Sequence, residues 1–143
     1  MLFGKKKRRI ERLLVVEDEP LVAFDTEHSL TDAGYTIVAT VDRVADAIAV
    51  IDGGETVDLV LLDVELADGS GLEVARAAQA VGVAVLFVTG QCPVEAMTLA
   101  QGCLAKPYAP RSLVAAIAAV EHAMDGKAAK RLPPGFRLFA AAD

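Results

Sequence analysis

The sequence has no tryptophan and only two cysteines, Cys92 and Cys103, in 143 residues. The two cysteines do not form a CxxC pair, and a domain of this size needs no disulfide to fold. We therefore expect both cysteines to be reduced and Cys103 to be buried. The cysteines carry no functional prediction.

A signal peptide and a membrane-spanning run are both missing. The opening "MLFGKKKRRIER" places its charges after three apolar residues, and no apolar core with a cleavage site follows. The longest uncharged stretch, residues 77–94, contains Gly82, Gly90 and Pro93, a pattern typical of a helix end, a turn and a strand. We expect a cytoplasmic protein without a transmembrane segment.

Basic residues are scarce in most of the chain. Residues 13–126 hold four bases against 18 acids, whereas residues 1–12 hold six bases against one acid. An acidic body argues against direct contact with nucleic acid. The basic arm at 1–11 is expected to be solvated, and a membrane surface or an acidic protein is its alternative partner. The length and the 54% hydrophobic content predict one domain, at 12–126, followed by a tail at 127–143.

Short apolar runs alternate along the chain with segments of helical period. Strands are predicted at residues 13–16, 35–41, 57–63, 83–90 and 103–105. Helices are predicted from Pro20 to the stop signal "DAGY" and over residues 43–51, 71–82, 93–102 and 110–126. The first of these helices has its apolar positions at Leu21, Phe24, His28 and Leu30.

The strands are nearly unbroken runs of valine and leucine, as in Val57–Leu62 and Val83–Val88. Such runs are typical of a parallel sheet that is covered on both faces. The sequence therefore predicts an α/β fold, a doubly wound five-stranded parallel sheet with helices on both faces. In the tail, the apolar residues at 136, 138 and 139 are expected to pack back on this body.

Reactive side chains follow four of the five predicted strands. They are Glu17 and Asp18 after the first strand, Asp63 after the third, Thr89 after the fourth and Lys106 after the fifth. Because the carboxyl ends of parallel strands form one edge of a sheet, and ligands bind beside that edge, these groups are expected to converge.

The residue types at this edge suit magnesium and a phosphoryl group. Clustered carboxylates repel one another unless a cation is present, and Mg²⁺ prefers one or two carboxylates together with carbonyl, water and phosphate oxygens. Asp63 is then kept ionised and is able to attack phosphorus, forming an acyl phosphate. Lys106 and the Thr89 hydroxyl are placed to bind the phosphoryl oxygens.

Four motifs in order, "VVEDEP", "LVLLDVEL" with "DGSG", "FVTG" and "AKPY", resemble the receiver domain of bacterial two-component response regulators. The resemblance covers residues 12–126 and implies the flavodoxin-like receiver fold. It implies a bound Mg²⁺ and phosphoryl transfer from a sensor histidine kinase or a phosphotransfer protein. The implied roles are an acidic pair at Glu17 and Asp18, a phosphoacceptor at Asp63, a backbone carbonyl ligand to magnesium at Glu65, a switch hydroxyl at Thr89 and a phosphate-pairing lysine at Lys106.

Some residues depart from the family pattern. Cys103 stands three residues before Lys106, where many receivers carry the aromatic residue that moves on activation. Only 16 residues separate Thr89 from Lys106, so the fourth helix is expected to be short. "FVTG" is similar to the signature of the FAT GUY subgroup of single-domain regulators, which act in general stress signalling, although Val88 replaces its alanine.

Several functions remain open on the sequence alone. The favoured one is a signalling switch rather than an enzyme, with a downstream protein partner. The alternatives are a phosphate sink or relay intermediate, and a magnesium-dependent phosphohydrolase of the haloacid dehalogenase type. The haloacid dehalogenase family places Asp-x-Asp on its first strand, whereas here the string is Asp63-Val64-Glu65 after the third, so this alternative is disfavoured. A flavodoxin-like nucleotide binder is also disfavoured, because no glycine-rich loop follows the first strand. His28 and His122 are expected to pack or face solvent, and Asp68 to belong to a turn.

Overall fold

A six-stranded sheet forms the centre of the molecule, in a computed structural model that describes residues 8–127 and 131–139. Five strands run parallel and the last, β8, pairs antiparallel with β7, giving the order β2-β1-β3-β6-β7-β8. The strands of this sheet are β1 (Arg12–Val16), β2 (Thr36–Val41), β3 (Leu59–Leu62), β6 (Ala84–Thr89), β7 (Gly102–Ala105) and β8 (Phe136–Leu138). A separate hairpin pairs β4 (Glu65–Leu66) with β5 (Gly69–Ser70).

Five helices cover the two faces of the sheet. They are α1 (Pro20–Asp32), α2 (Val44–Asp52), α3 (Gly71–Ala80), α4 (Ala96–Leu99) and α5 (Pro110–Met124). Helices α1 and α5 pack on one face, and α2, α3 and α4 on the other. Within residues 8–127 and 131–139, no helix combines the length and apolar character needed to cross a bilayer.

The core consists of two apolar layers, because successive side chains of a strand point to opposite faces. In β1, Leu14 and Val16 contact the layer under α2 and α3, whereas Leu13 and Val15 contact the layer under α1 and α5. The whole of β3 and of β6 is buried in the same alternating way. This burial on both faces explains why these strands are unbroken apolar runs.

The predicted doubly wound parallel sheet with helices on both faces is confirmed, and the structure adds one strand to it. The tail packs back on the body, as expected, with the rings of Phe136 and Phe139 buried. Phe136 lies against Gly102, where an added Cβ would be 2.7 Å from the phenylalanine ring. The tail contributes the edge strand β8. The domain boundary predicted between residues 126 and 127 therefore leaves β8 outside the domain whose sheet it extends. The division into three segments stays a prediction.

The start of the chain contacts the body, contrary to the expectation of a solvated arm. Arg9 forms an ion pair with Asp125 at 2.9 Å, and the guanidinium of Arg8 stacks 4.4 Å from the ring centroid of Tyr35. Ile10 is fully buried. The acidic surface of the body attracts these bases, and Ile10 supplies an apolar anchor that the charge pattern concealed. Residues 1–7 of the predicted arm lie outside the described residues.

The prediction of two reduced cysteines is wrong, because Cys92 and Cys103 form a disulfide with a Cα–Cα distance of 6.2 Å. Only 11 positions separate the two residues. The loop after β6 returns beside β7, which brings the two sulfurs together. That approach depends on the path of the loop and cannot be read from the spacing of the cysteines.

Helix α1 exposes three of its four predicted apolar positions, Leu21, Phe24 and His28. Leu30 is buried, but Leu21 is 80% exposed and Phe24 is 66% exposed. His28 lies at the surface, where its ring stacks on Phe24 and its Nε2 is 3.6 Å from Asp32. The surface role expected for His28 is therefore confirmed.

Asp68 caps a helix that begins 24 residues before it. Its carboxylate accepts hydrogen bonds from the backbone N–H groups of Val44 (2.6 Å) and Ala45 (3.2 Å), at the start of α2. The residue at the N-cap position itself, Arg43, makes no capping bond with its side chain. A distant carboxylate thus serves the free N–H groups of the first turn. Asp68 is a loop residue, as expected, with a structural role that its local sequence does not indicate.

Replacing Asp68 with alanine is expected to lower the Tm by about 2–4 °C at pH 7. The hydrogen bond from Val44 is the main cause that lowers the pKa of Asp68 below its ordinary value of 3.8. A carboxyl group with a lowered folded-state pKa stabilises the fold above its unfolded pKa and loses this contribution as the pH falls through the folded one. The difference in Tm between the two proteins should therefore shrink below about pH 4.

The matched control is Asp52→Ala, at the last residue of α2. An acid at this end of a helix opposes the helix dipole, so its removal should leave the Tm unchanged or raise it slightly. Thermal unfolding followed by circular dichroism between pH 3 and pH 7 measures both variants. An Asp68→Ala protein as stable as wild type at pH 7 would contradict the capping role.

Candidate functional site

The carboxyl ends of the parallel strands form one wall of an open cavity of about 560 Å³. Asp18 follows β1 after one residue, Asp63 follows β3 directly, Thr89 ends β6 and Lys106 follows β7 directly. All four line this cavity, together with Glu65 of the hairpin. The residues that the sequence predicts to converge are therefore brought together.

Lys106 connects the acidic residues of the site. Its Nζ donates hydrogen bonds to Glu17 Oε1 at 2.7 Å and to Asp63 Oδ2 at 3.1 Å. A third carboxylate, that of Glu19, lies 3.8 Å away and is mostly exposed. The ammonium group thus neutralises part of a cluster of three acids. Glu19 is a contact that the sequence analysis missed, although its place beside the acidic pair was visible.

Burial controls the charge states of the site. Glu17 is 7% exposed, and burial raises the pKa of its carboxyl, although the hydrogen bond from Lys106 offsets part of this effect. Burial alone would lower the pKa of Lys106, but its hydrogen bonds and charge interactions with Glu17 and Asp63 outweigh that effect, so the pKa is raised. The raised pKa of Lys106 keeps its ammonium charged, whereas the raised pKa of Glu17 reflects the cost of burying a carboxylate, which a nearby cation reduces.

Three carboxylates are close enough together to share a cation. One oxygen from each of Glu17, Asp18 and Asp63 lies within 4.8 Å of the others. Two of the three residues are buried and the third, Asp18, is more exposed, so the group opens to the cavity. Hard carboxylate oxygens with access to water are the ligands that Mg²⁺ prefers, so the donor set fits this ion. Glu65 is not part of the carboxylate group, and its predicted role uses its backbone carbonyl.

Backbone contacts hold the site residues in place. The N–H of Glu17 donates to Val41 O at 2.9 Å, that of Asp63 to Val16 O at 3.1 Å, and that of Lys106 to Thr89 O at 2.8 Å. Each bond continues the ladder between neighbouring strands, so the functional side chains sit on the rigid part of the fold. The Glu65 N–H also lies 3.4 Å from Asp63 Oδ1, a long contact across the first turn of the hairpin.

Gly71 touches the backbone of Asp63. A Cβ added at Gly71 would be 2.1 Å from the carbonyl oxygen of Asp63, and the Gly71 N–H donates to Val64 O at 2.6 Å. Helix α3 therefore begins against the backbone of Asp63, at a distance that only glycine permits. Gly71 ends the "DGSG" motif, and nothing in the local sequence indicates its contact with Asp63.

The segment after Thr89 contains the short helix that the sequence predicts. Helix α4 has four residues; the side chain of Val94 before it is 84% exposed, and that of Met97 within it is 55% exposed. The Cys92–Cys103 disulfide lies under this segment, with Cys103 fully buried. Cys103 thus occupies the position of the expected aromatic residue and is linked to the loop.

Comparison with known proteins agrees with the geometry. The sequence model of the family described as response regulator receiver domain matches residues 13–118. The phyllosphere-induced regulator PhyR of Methylorubrum extorquens is 30% identical over 115 residues, covering 73% of this chain and 41% of PhyR. The transcriptional regulatory protein TcrA of Mycobacterium tuberculosis is 41% identical over 85 residues, 56% of this chain and 32% of TcrA. The chain spans less than half the length of these two relatives.

A solved structure shows the same arrangement of strands and helices. The CheY-like response regulator receiver domain protein of Methanospirillum hungatei superposes with a TM-score of 0.68 at 27% sequence identity. The match covers 76% of this chain and 91% of that protein. Similarity over nearly the whole of a receiver domain agrees with the family match.

Proposed function

Because the chain belongs to the response regulator receiver domain family, we propose that it is a phosphoacceptor of a two-component phosphorelay. Asp63 receives the phosphoryl group from a sensor histidine kinase or a phosphotransfer protein. The observation that carries this proposal is the contact between Asp63 and the Lys106 ammonium, 3.1 Å apart, in a cavity that Asp18 and Thr89 also line.

The residues of the site divide the chemistry among them. A carboxylate oxygen of Asp63 attacks the phosphorus of a phosphohistidine, the P–N bond breaks, and an acyl phosphate forms on Asp63. Lys106 already holds its ammonium beside this carboxylate, so it is placed to pair with a phosphoryl oxygen. The Thr89 hydroxyl, at the end of β6, is placed to donate a hydrogen bond to another.

Magnesium is the cation that we propose for Glu17, Asp18 and Asp63, with the Glu65 carbonyl as a further ligand. When bound, Mg²⁺ supplies positive charge that neutralises phosphoryl oxygens. Lys106 supplies only one positive charge, which Glu17 and Asp63 already share. The three carboxylates of the site therefore carry more negative charge than Lys106 neutralises, which favours binding of a second cation.

We propose that the output is a phosphorylation-dependent contact with another protein. Residues 90–101, here named the switch segment, follow Thr89 and expose Val94 and Met97 to solvent. A hydrogen bond from Thr89 to a phosphoryl group favours one of two packings of this segment and so changes the surface that α4, β7 and α5 present. The acidic surface disfavours nucleic acid as the direct partner. We place the phosphorelay in the cytoplasm, where ATP-dependent histidine kinases act, and the stress-response subgroup stays a prediction.

Beryllofluoride with Mg²⁺, a mimic of the acyl phosphate, is expected to change the amide chemical shifts of the switch segment. The spectra are recorded on the full chain in reducing buffer. Mg²⁺ alone and beryllofluoride with EDTA are the control conditions. Shift changes around Asp63 without changes at 90–101 would contradict the switch and favour a phosphate sink or relay intermediate.

A further inference from the structure

Cys92 and Cys103 join the switch segment to the central sheet by a covalent bond. Cys92 lies three residues after Thr89, and Cys103 lies in β7, three residues before Lys106. In the register of the sheet, Cys103 pairs with Phe87 of β6 and with Arg137 of β8. The disulfide therefore fixes the loop after Thr89 to strand β7 of the sheet.

The first half of the switch segment has little else to hold it. Within the part of the chain that the structure describes, residues 90–95 make no hydrogen bond to a residue beyond the switch segment. Its second half is better attached, because the Gln101 N–H donates to Val85 O at 2.8 Å and the Gln79 side chain donates to Thr98 O at 2.8 Å. The disulfide is thus the main restraint on residues 90–95.

The two cysteines differ in their exposure to solvent. Cys103 is fully buried, whereas Cys92 is half-buried on a surface loop. A thiolate from outside therefore reaches the Cys92 sulfur and not the Cys103 sulfur. This asymmetry defines one order of events for reduction.

We propose that Cys92 and Cys103 form a reversible redox site that controls the mobility of the switch segment. The substrate is a thiol reductant, in the simplest case a dithiol. Its thiolate attacks Cys92 Sγ, the S–S bond breaks, and Cys103 leaves as a thiolate that takes up a proton. The second thiol of the reductant then attacks the mixed disulfide and releases Cys92. The protein gains two electrons and two protons, and the dithiol becomes a disulfide.

The oxidised form restrains the switch segment and the reduced form releases it. A disulfide inside a compartment that keeps most thiols reduced is typically a redox-sensing one. This inference rests on the proposed function only in its consequence, that reduction allows residues 90–95 to respond when Asp63 is phosphorylated. The disulfide and its effect on mobility are independent of phosphorylation.

Thiol labelling of the full chain tests the redox site itself. The protein is equilibrated with oxidised glutathione or with dithiothreitol, denatured, and treated with N-ethylmaleimide. Mass spectrometry should show no label in the first case and two labels in the second. Two labels after equilibration with oxidised glutathione would overturn the proposal, because the pair would then not form a disulfide.

Hydrogen exchange tests the restraint. Amide exchange of residues 90–95 is expected to be at least about tenfold faster in the reduced protein than in the oxidised one, with exchange of β3 unchanged. In Cys92→Ser, residues 90–95 should exchange at the fast rate in both buffers. The comparison of oxidised with reduced wild type tests the same restraint even if this variant does not fold. Equal rates in the two redox states would overturn the proposal.

Beryllofluoride titrations separate the two ideas. With the pair reduced, the amide shifts at residues 90–95 should change on adding beryllofluoride and Mg²⁺, and with the pair oxidised this change should be reduced by at least about threefold. An equal response in both redox states overturns the redox control and supports the phosphorylation switch. No binding of beryllofluoride in either state contradicts the proposed function, while the exchange rates still decide the redox site.

Discussion

Asp63→Asn is expected to lose phosphoryl acceptance by more than about 1,000-fold, while its fold remains that of the wild type. An amide nitrogen or oxygen is a far weaker nucleophile than a carboxylate, so the acyl phosphate does not form. The side chain keeps its shape, and its amide oxygen is still able to accept the hydrogen bond that Lys106 donates to Asp63. The substitution also leaves two carboxylates, instead of three, in the cluster that could hold a metal ion.

Transfer from radiolabelled histidine kinases, and mass spectrometry after incubation with acetyl phosphate and Mg²⁺, measure this loss. Asp52→Asn, at the far end of α2, is the matched control and should accept phosphate at the wild-type rate. The Tm of Asp63→Asn should lie within a few degrees of wild type, because the change also relieves repulsion between Asp63 and Glu17. Wild-type labelling of the Asp63→Asn protein would move the phosphoacceptor to another residue and contradict the assignment.

The central part of the fold was predictable because its strands are buried on both faces. Runs such as Val83–Val88 have no polar position, and that pattern fits a parallel sheet between two layers of helices. The site was predictable for a related reason. In a parallel sheet each strand ends at the same edge, so the order of Asp18, Asp63, Thr89 and Lys106 along the chain is enough to bring them together.

The parts that the sequence did not predict depend on where loops and ends return. Strand β8 is three residues long, and its place beside β7 follows from the packing of Phe136 on Gly102. Asp68 caps a helix far from it in sequence, and Cys92 meets Cys103 only because the loop turns back. Each of these contacts joins two segments that are apart in the sequence, and hydrophobic periodicity within a segment does not indicate such contacts.

Charge counting also failed where it ignored the apolar residue within a charged run. Residues 8–12 contain three arginines, yet Ile10 is fully buried among them. Its backbone N–H donates to Glu121 at 2.9 Å, and Arg9 pairs with Asp125. The acidic body and one buried isoleucine together are enough to attach the end of the arm, which a net charge alone does not show.

The second large effect is expected from Gly71→Ala, which adds a single methyl group behind Asp63. Helix propensity alone favours this change by less than about 1 kcal/mol, because alanine is a better helix former than glycine but Gly71 is only the first residue of α3. The contact opposes it, since the new Cβ would lie 2.1 Å from the Asp63 carbonyl oxygen, far inside van der Waals distance. Relief requires a shift of the backbone, and overpacking of this kind costs about 1–3 kcal/mol. Steric overlap therefore outweighs propensity, and the Tm should fall.

Chemistry should suffer more than stability in this variant. The backbone that must move carries Asp63, the proposed phosphoacceptor, and a displacement of about 1 Å in a reacting group can cost about 100-fold in rate. We expect phosphorylation of Gly71→Ala by acetyl phosphate to slow by about that factor, when measured well below its Tm. Beryllofluoride binding should weaken in parallel, because it needs the same placement of Asp63 beside Lys106.

Gly90→Ala is the matched control for stability. A Cβ at Gly90 meets no atom within 4 Å, and its backbone does not require glycine. That variant should keep the wild-type Tm, so a fall seen only in Gly71→Ala reports the contact with Asp63. A Gly71→Ala protein with both the Tm and the phosphorylation rate of the wild type would contradict the close approach of α3 to Asp63. If the Tm falls but the phosphorylation rate stays at the wild-type value, α3 has moved to accommodate the methyl group, and the position of Asp63 depends on its strand alone.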